Sequence, residues 1–173
     1  HNVLCECNEK REDDYNLDAQ RSSPREYNVY CLDKRSIAPQ GQRNVEPCDL
    51  IAIKNNAVEL IHNKISTRSA SLSHLFNQGV NSVILLRQND EAKDKLKELV
   101  EHNPSLEEGI NNDQYCVTYG IISNKNRDLK SDALPLFSRI SLLRCVKTLR
   151  LMQIITTVFL IKDNVDRKRL NEE

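Results

Sequence analysis

Apolar residues along the chain fall into blocks of two periods, and the blocks predict a mixture of strands and helices. Val45 to Ile53 ends in an apolar run from Leu50 to Ile53, and Val58 to Ile65 forms a second strand. The turn-like Lys54, Asn55 and Asn56 join them, so the two strands are expected to be antiparallel neighbours. Tyr27 to Leu32 is a shorter strand candidate, and Tyr115 to Ile122 alternates in the manner of a strand. Ile154 to Ile161 is β-branched, with Thr156 and Thr157 in its middle. Helical spacing of Leu72, Leu75 and Phe76 predicts a helix near 70–79 that Gly79 ends or bends. The block Val83 to Leu86 fits a strand and a buried helix equally. Asp90 to Val100 predicts a helix with Leu96, Leu99 and Val100 on one side, and Pro104 ends that element. A helix near 139–152 would bury Leu142, Leu143, Val146, Leu149 and Met152 as one stripe, with Arg139, Arg144, Lys147 and Arg150 mostly off it.

This order predicts an α/β (or α+β) fold, a mixed β-sheet with flanking helices. The last strand–helix–strand would be a parallel crossover if both strands share the sheet. Residues 1–26 are expected to be a poorly ordered or partial N-terminal segment, because Glu9 to Asp14 is a charged run. Residues 27–162 form a single α/β domain in this reading, and 163–173 a charged tail.

Composition narrows the function without naming it. The 173 residues are 39% apolar and 29% charged, outside the disordered class. Lys plus Arg is 25 and Asp plus Glu is 25, so any basic surface for nucleic acid must be local. No apolar run reaches membrane-spanning length, and charges at Glu6, Glu9, Lys10 and Arg11 break any signal-peptide pattern. The expectation is a cytoplasmic chain without a membrane partner. Its start at His1 suggests a processed chain or fragment, with N-terminal domains of a longer chain as candidate partners. Six irregularly spaced cysteines read as reduced thiols rather than a disulfide framework, with Cys116 and Cys145 in the core. No phosphate-cradling glycine loop and no nucleophile elbow is present.

Several stretches carry a resemblance. Val45 to Leu50 contains an acidic residue followed by Cys48, Asp49 and Leu50. Ile61 to Lys64 contains His62, and Ser69 to Gly79 reads Ser-Ala-Ser-Leu-Ser-His-Leu-Phe-Asn-Gln-Gly. Tyr119 to Ile122, Leu134 to Ser138 and Leu142 to Leu151 continue the match, with Leu136 standing where Phe is more usual. The chain resembles a sporadically distributed, poorly characterised bacterial family of mobile and defence islands, over about residues 26–162. The resemblance implies that this is the C-terminal part of a larger protein connected with phage defence.

Asp49, His62 and Lys64 are the candidate catalytic constellation. His62 and Lys64 share a strand face by alternation, and Asp49 on the preceding strand can join them across the hairpin. The order of an Asp, then a position two before Lys, then a helix resembles the PD-(D/E)XK nuclease core, a restriction-endonuclease-like fold. That resemblance implies Mg2+ or Mn2+ held by carboxylates, with Lys64 offsetting charge on a scissile phosphate of DNA. His62 stands where the second acid belongs, and imidazole is a poor magnesium ligand. Asp49 and Glu46 are the candidate metal ligands, Glu46 if the strand bends at Pro47; alternatively His62 is a base or a manganese ligand. Arg68, Ser71, His74 and Gln78, on or beside one helix, are the candidate nucleic-acid contacts. The bland reading pairs Asp49 with Lys64 across a solvated sheet face. The functional alternatives are therefore a metal-dependent nuclease, a non-catalytic nucleic-acid-binding domain, and a structural or protein-interaction domain.

Overall fold

In the computed structural model, residues 3–24 and 27–170 are described. Five strands form one mixed sheet in sequence order: β1 (Tyr30–Cys31), β2 (Leu50–Lys54), β3 (Ala57–Ile65), β4 (Tyr115–Ser123) and β5 (Ile155–Lys162). The first three run antiparallel, and β3, β4 and β5 run parallel. The hairpin follows from Asn55 and Asn56, both at positive φ, which Asn tolerates better than most residues. The two parallel pairings need long crossovers, and the chain supplies them as helices.

The first crossover holds α2 (Ser69–Gln88), α3 (Asp90–Leu99) and α4 (Pro104–Asn111), and the second holds α5 (Leu136–Leu151). A short helix, Arg167–Leu170, follows β5. Leu72, Leu75, Phe76, Val80, Val83 and Leu86 of α2 enter the main core with Val58 and Leu60 of β3 and Val117, Tyr119 and Ile121 of β4. A smaller core lies around Tyr15, Ala19, Leu50, Ile61, Ile122 and Ile161. Alternation explains the split: Leu60 and Ile61 are sequence neighbours and belong to different cores.

The second core is capped by a helix at Glu12–Ser22, in the segment expected to be poorly ordered. We label it α1. Its composition is misleading because the residues it buries are Tyr15, Asn16 and Ala19, only two of them apolar. Asn63 of β3 donates through Nδ2 to Asn16 Oδ1 at 2.8 Å, and both side chains are buried. The charged tail is tied down over its first residues. Cys7 N donates to Lys162 O at 2.9 Å, and Arg167 pairs with Asp163 at 2.7 Å. Residues 1–2, 25–26 and 171–173, parts of both expectations, lie outside the described residues.

Three further expectations change. Gly79 does not end a helix, because α2 continues through it to Gln88 and absorbs the ambiguous block at 83–86. Pro104 follows α3 and also opens α4, where its missing N–H costs nothing. On α5 the buried residues are Ser138, Cys145 and Leu149, while Leu143 is 55% exposed. All six cysteines are free thiols, and Cys116 and Cys145 are buried as expected.

Gly79 has a packing reason. A Cβ there would lie 2.8 Å from Cε1 and Cζ of Tyr119. That ring is fixed from two sides: its hydroxyl donates to Phe76 O at 2.7 Å, and it meets the Phe76 ring edge-on with centroids 5.2 Å apart. Ala in place of Gly should gain about 1 kcal/mol of helix propensity. Overpacking a fixed ring costs about 1–3 kcal/mol. Gly79→Ala is therefore expected to lower the urea midpoint, and a raised midpoint would show that the ring yields freely.

Candidate metal centre

The chain enters β2 through Asp49, whose carboxylate is turned back onto the hairpin. Its Oδ2 accepts from the Asn63 amide at 2.6 Å, while its own amide donates to Ile61 O at 2.9 Å. On the other side, Leu32 N donates to Asp49 O at 2.8 Å, which brings the residue after Leu32 alongside. That residue is Asp33. Asp33, Glu46 and Asp49 each offer a carboxylate oxygen, and these oxygens lie within 4.8 Å of one another. All three residues are half-buried.

Their electrostatics are those of crowded acids. Burial raises the Asp49 carboxyl to about 7, the Asn63 amide opposes this, and the charges of Glu12, Asp33 and Glu46 add to the rise. Burial also raises Asp33 and Glu46, with Asp33 acting on Glu46. Lys34 and Lys64 lower both. Lys64 is held in turn by α1: its Nζ lies 2.7 Å from Glu12 Oε1, and Glu12 Oε2 accepts from Ile65 N at 2.8 Å. One carboxylate thus fixes both the last amide of β3 and the amine beside it. Glu12 and Asn16 are one helical turn apart, so the buried Asn16–Asn63 bond also sets where Glu12 falls.

The candidate residues separate into groups. Asp49 and Glu46 come together with Asp33, and Lys64, paired with Glu12, stands near enough to lower Asp33 and Glu46. His62 does not reach this group: it is 2% exposed, its ring lies 6.1 Å from that of Tyr119, and burial lowers its pKa to about 4. It is a neutral imidazole inside the core, and its Nε2 has no hydrogen-bond partner among the described residues. Arg68 and Ser71 line a cleft of about 720 Å³ together with Lys10, Glu12, Lys64 and Arg167. His74 is exposed and Gln78 half-buried further along α2, and neither is among the described residues that line the cleft. Sequence reasoning missed Asp33 and Glu12. A pairing of the 27–32 strand with the 45–53 strand would have pointed to Asp33, whereas nothing in the charged N-terminal run distinguishes Glu12 from its neighbours.

Three oxygens from three carboxylates suit a hard divalent cation such as Mg2+ or Mn2+, since oxygen donors are what those ions take. Burial and mutual repulsion raise these carboxyls, and anions crowded in a partly dry place are relieved by a cation. The fold and this cluster define a mixed-sheet α/β chain with a candidate divalent-cation centre beside its hairpin. The chain belongs to a family of unknown function (DUF6119), whose model matches residues 2–162. No curated protein and no solved structure matches it. No helix among the described residues is long and apolar enough to cross a membrane.

Burial of Asp49, with the nearby acids adding to it, makes a pH prediction. A carboxyl raised from 3.8 to about 7 on folding favours the folded state fully below the lower value. That contribution is lost as pH rises through the upper one. Metal-free protein should therefore lose thermal stability between about pH 4 and pH 7. Asp49→Asn keeps an acceptor for the Asn63 amide and cannot ionise, so its melting profile should fall less over the same window. Parallel profiles would contradict the raised Asp49 carboxyl.

Proposed function

We propose that this chain is a divalent-metal-dependent phosphodiester hydrolase domain acting on DNA. The observation that carries the reading is the convergence of Asp33, Glu46 and Asp49 near Lys64, because Lys64 and its partner Glu12 also line the cleft, where Lys10 and Arg68 add positive charge. In this reading Asp33, Glu46 and Asp49 hold Mg2+ or Mn2+. The bound ion supplies positive charge to a phosphoryl group and acidifies water at neutral pH.

The remaining roles belong to the chain itself. Lys64, oriented by Glu12, offsets charge developing on the phosphate. The Asn63 amide keeps Asp49 aimed at the cluster. Arg68 and Ser71 contact the DNA backbone at the start of α2, where no side chain caps the helix and the first turn holds no acid. The amide groups of that turn are suited to an anion. His62 is left out of proton transfer by its burial, and His74 and Gln78 have no role at the cleft. The order of acid, strand, Lys and helix is that of the PD-(D/E)XK resemblance, with Asp33 and Glu46 offering the further carboxylates that the His62 position lacks. A setting in phage defence is consistent with DNA cleavage.

A second reading is a DNA-binding domain without catalysis. It is favoured by the Glu12–Lys64 ion pair, which occupies the amine that hydrolysis would use.

The test is cleavage of plasmid, linear and single-stranded DNA with Mg2+ or Mn2+ added. Lys64→Ala is expected to lower the rate by about 10²–10³-fold, with an unchanged circular-dichroism melt. DNA left intact with both metals sinks the hydrolase reading. Salt-sensitive binding without cleavage would select the second reading.

A further inference from the structure

The outward face of α5 is apolar where a surface helix is ordinarily polar. Leu136, Phe137, Ile140, Leu143 and Leu151 are 60, 73, 48, 55 and 87% exposed. They lie opposite Ser138, Cys145 and Leu149, which pack inward. Their spacing is ordered. Leu136, Ile140, Leu143 and Lys147 follow steps of four, three and four, the spacing of a coiled-coil seam, with Leu, Ile and Leu followed by Lys. From Leu136 to Leu151 the row runs about 22 Å.

The charges on this helix all have one sign. Arg139, Arg144, Lys147 and Arg150 are its charged residues, and α5 contains no Asp or Glu. Arg139 is paired with Asp132 at 2.7 Å. Arg144, Lys147 and Arg150 have no carboxylate partner among the described residues. A second copy laid across this face would set cations against cations, which disfavours self-association. A flat lipid surface would have to accept Lys147 in the middle of the apolar row. A helix with a carboxylate facing Lys147 accepts it readily, and a single Lys in a seam then sets the register.

We infer that the outward face of α5 docks an amphipathic helix of a partner protein, one whose apolar seam is flanked by Asp and Glu. Ile140 and Leu143 are the central apolar contacts, Lys147 meets a carboxylate in the partner's seam, and Arg144 selects the acidic flank. The site lies on the second crossover, away from the carboxylate cluster, and stands whether or not the chain cuts DNA.

The test uses two synthetic helical peptides of about three heptads, with the same Leu/Ile seam carrying one Glu to face Lys147, and either all-Glu or all-Lys flanks. Fluorescence anisotropy with the whole chain should show the Glu peptide binding at least about tenfold more tightly than the Lys peptide. Ile140→Asp with Leu143→Asp should abolish that binding with an unchanged melt, since both residues are exposed. Arg144→Glu with Lys147→Glu should invert the preference, an effect that loss of structure would not produce. The proposal is overturned by equal affinity for the two peptides, by binding that survives Ile140→Asp with Leu143→Asp, or by no binding. It is also overturned if phosphatidylserine vesicles bind while the Glu peptide does not, or if the chain dimerises through this face.

Discussion

Like charges brought close in a partly dry place are the constraint on which the rest of this structure turns. Asp33, Glu46 and Asp49 sit within 4.8 Å of one another, and Glu12 lies near enough to raise Asp49 further. In water such a group would spread apart. Here the backbone prevents it: Asp49 is pinned to the Asn63 amide, and Asp33 follows the Leu32 bond to β2. Protonation or a bound cation is what relieves that repulsion.

The supporting parts are arranged around one strand end. Glu12 bridges Lys64 and the Ile65 amide, and the buried Asn16–Asn63 bond holds the helix that carries it. That single bond is a weak source of stability but a specific one: a slipped helix would lose it, and Asn16 Nδ2 and Asn63 Oδ1 already have no partner among the described residues. On the opposite face, Tyr119 and Phe76 lock α2 against β4, with Gly79 giving the room. Since only three residues separate Ile65 from the start of α2, that lock fixes where Arg68 and Ser71 stand relative to Lys64. The cluster and the cleft are thus coupled through the strand–helix junction.

The sequence was most readable where burial alternates cleanly. The 45–65 hairpin, the strands after 115 and 154, and the helix after Asp90 follow from periodicity, and with the hairpin come Asp49, Lys64 and Glu46. Local pattern failed where tertiary contact decides. Glu12 sits in a charged run that folds only because Tyr15 and Asn16 find a core made by distant strands. Asp33 is a loop residue whose significance depends on the pairing of β1 with β2, a contact between segments about twenty residues apart. Gly79 reads as a helix stop by propensity, yet it is a close-approach position. His62 has the right alternation, but nothing local shows that β4 will wall it in with Tyr119. The exposed Leu143 looked like core because apolar residues surround α5 on nearly every side, and periodicity cannot choose between two apolar faces.

Manganese reports directly on whether the three carboxylates form a cation site. In an electron paramagnetic resonance titration, the signal of free Mn2+ should be suppressed up to one equivalent per chain at neutral pH. Asp33→Asn, which leaves Lys64 and the cleft in place, should restore the free signal from the first addition. Equal Mn2+ uptake by the two proteins, or none by either, would contradict the claim that this cluster holds a metal.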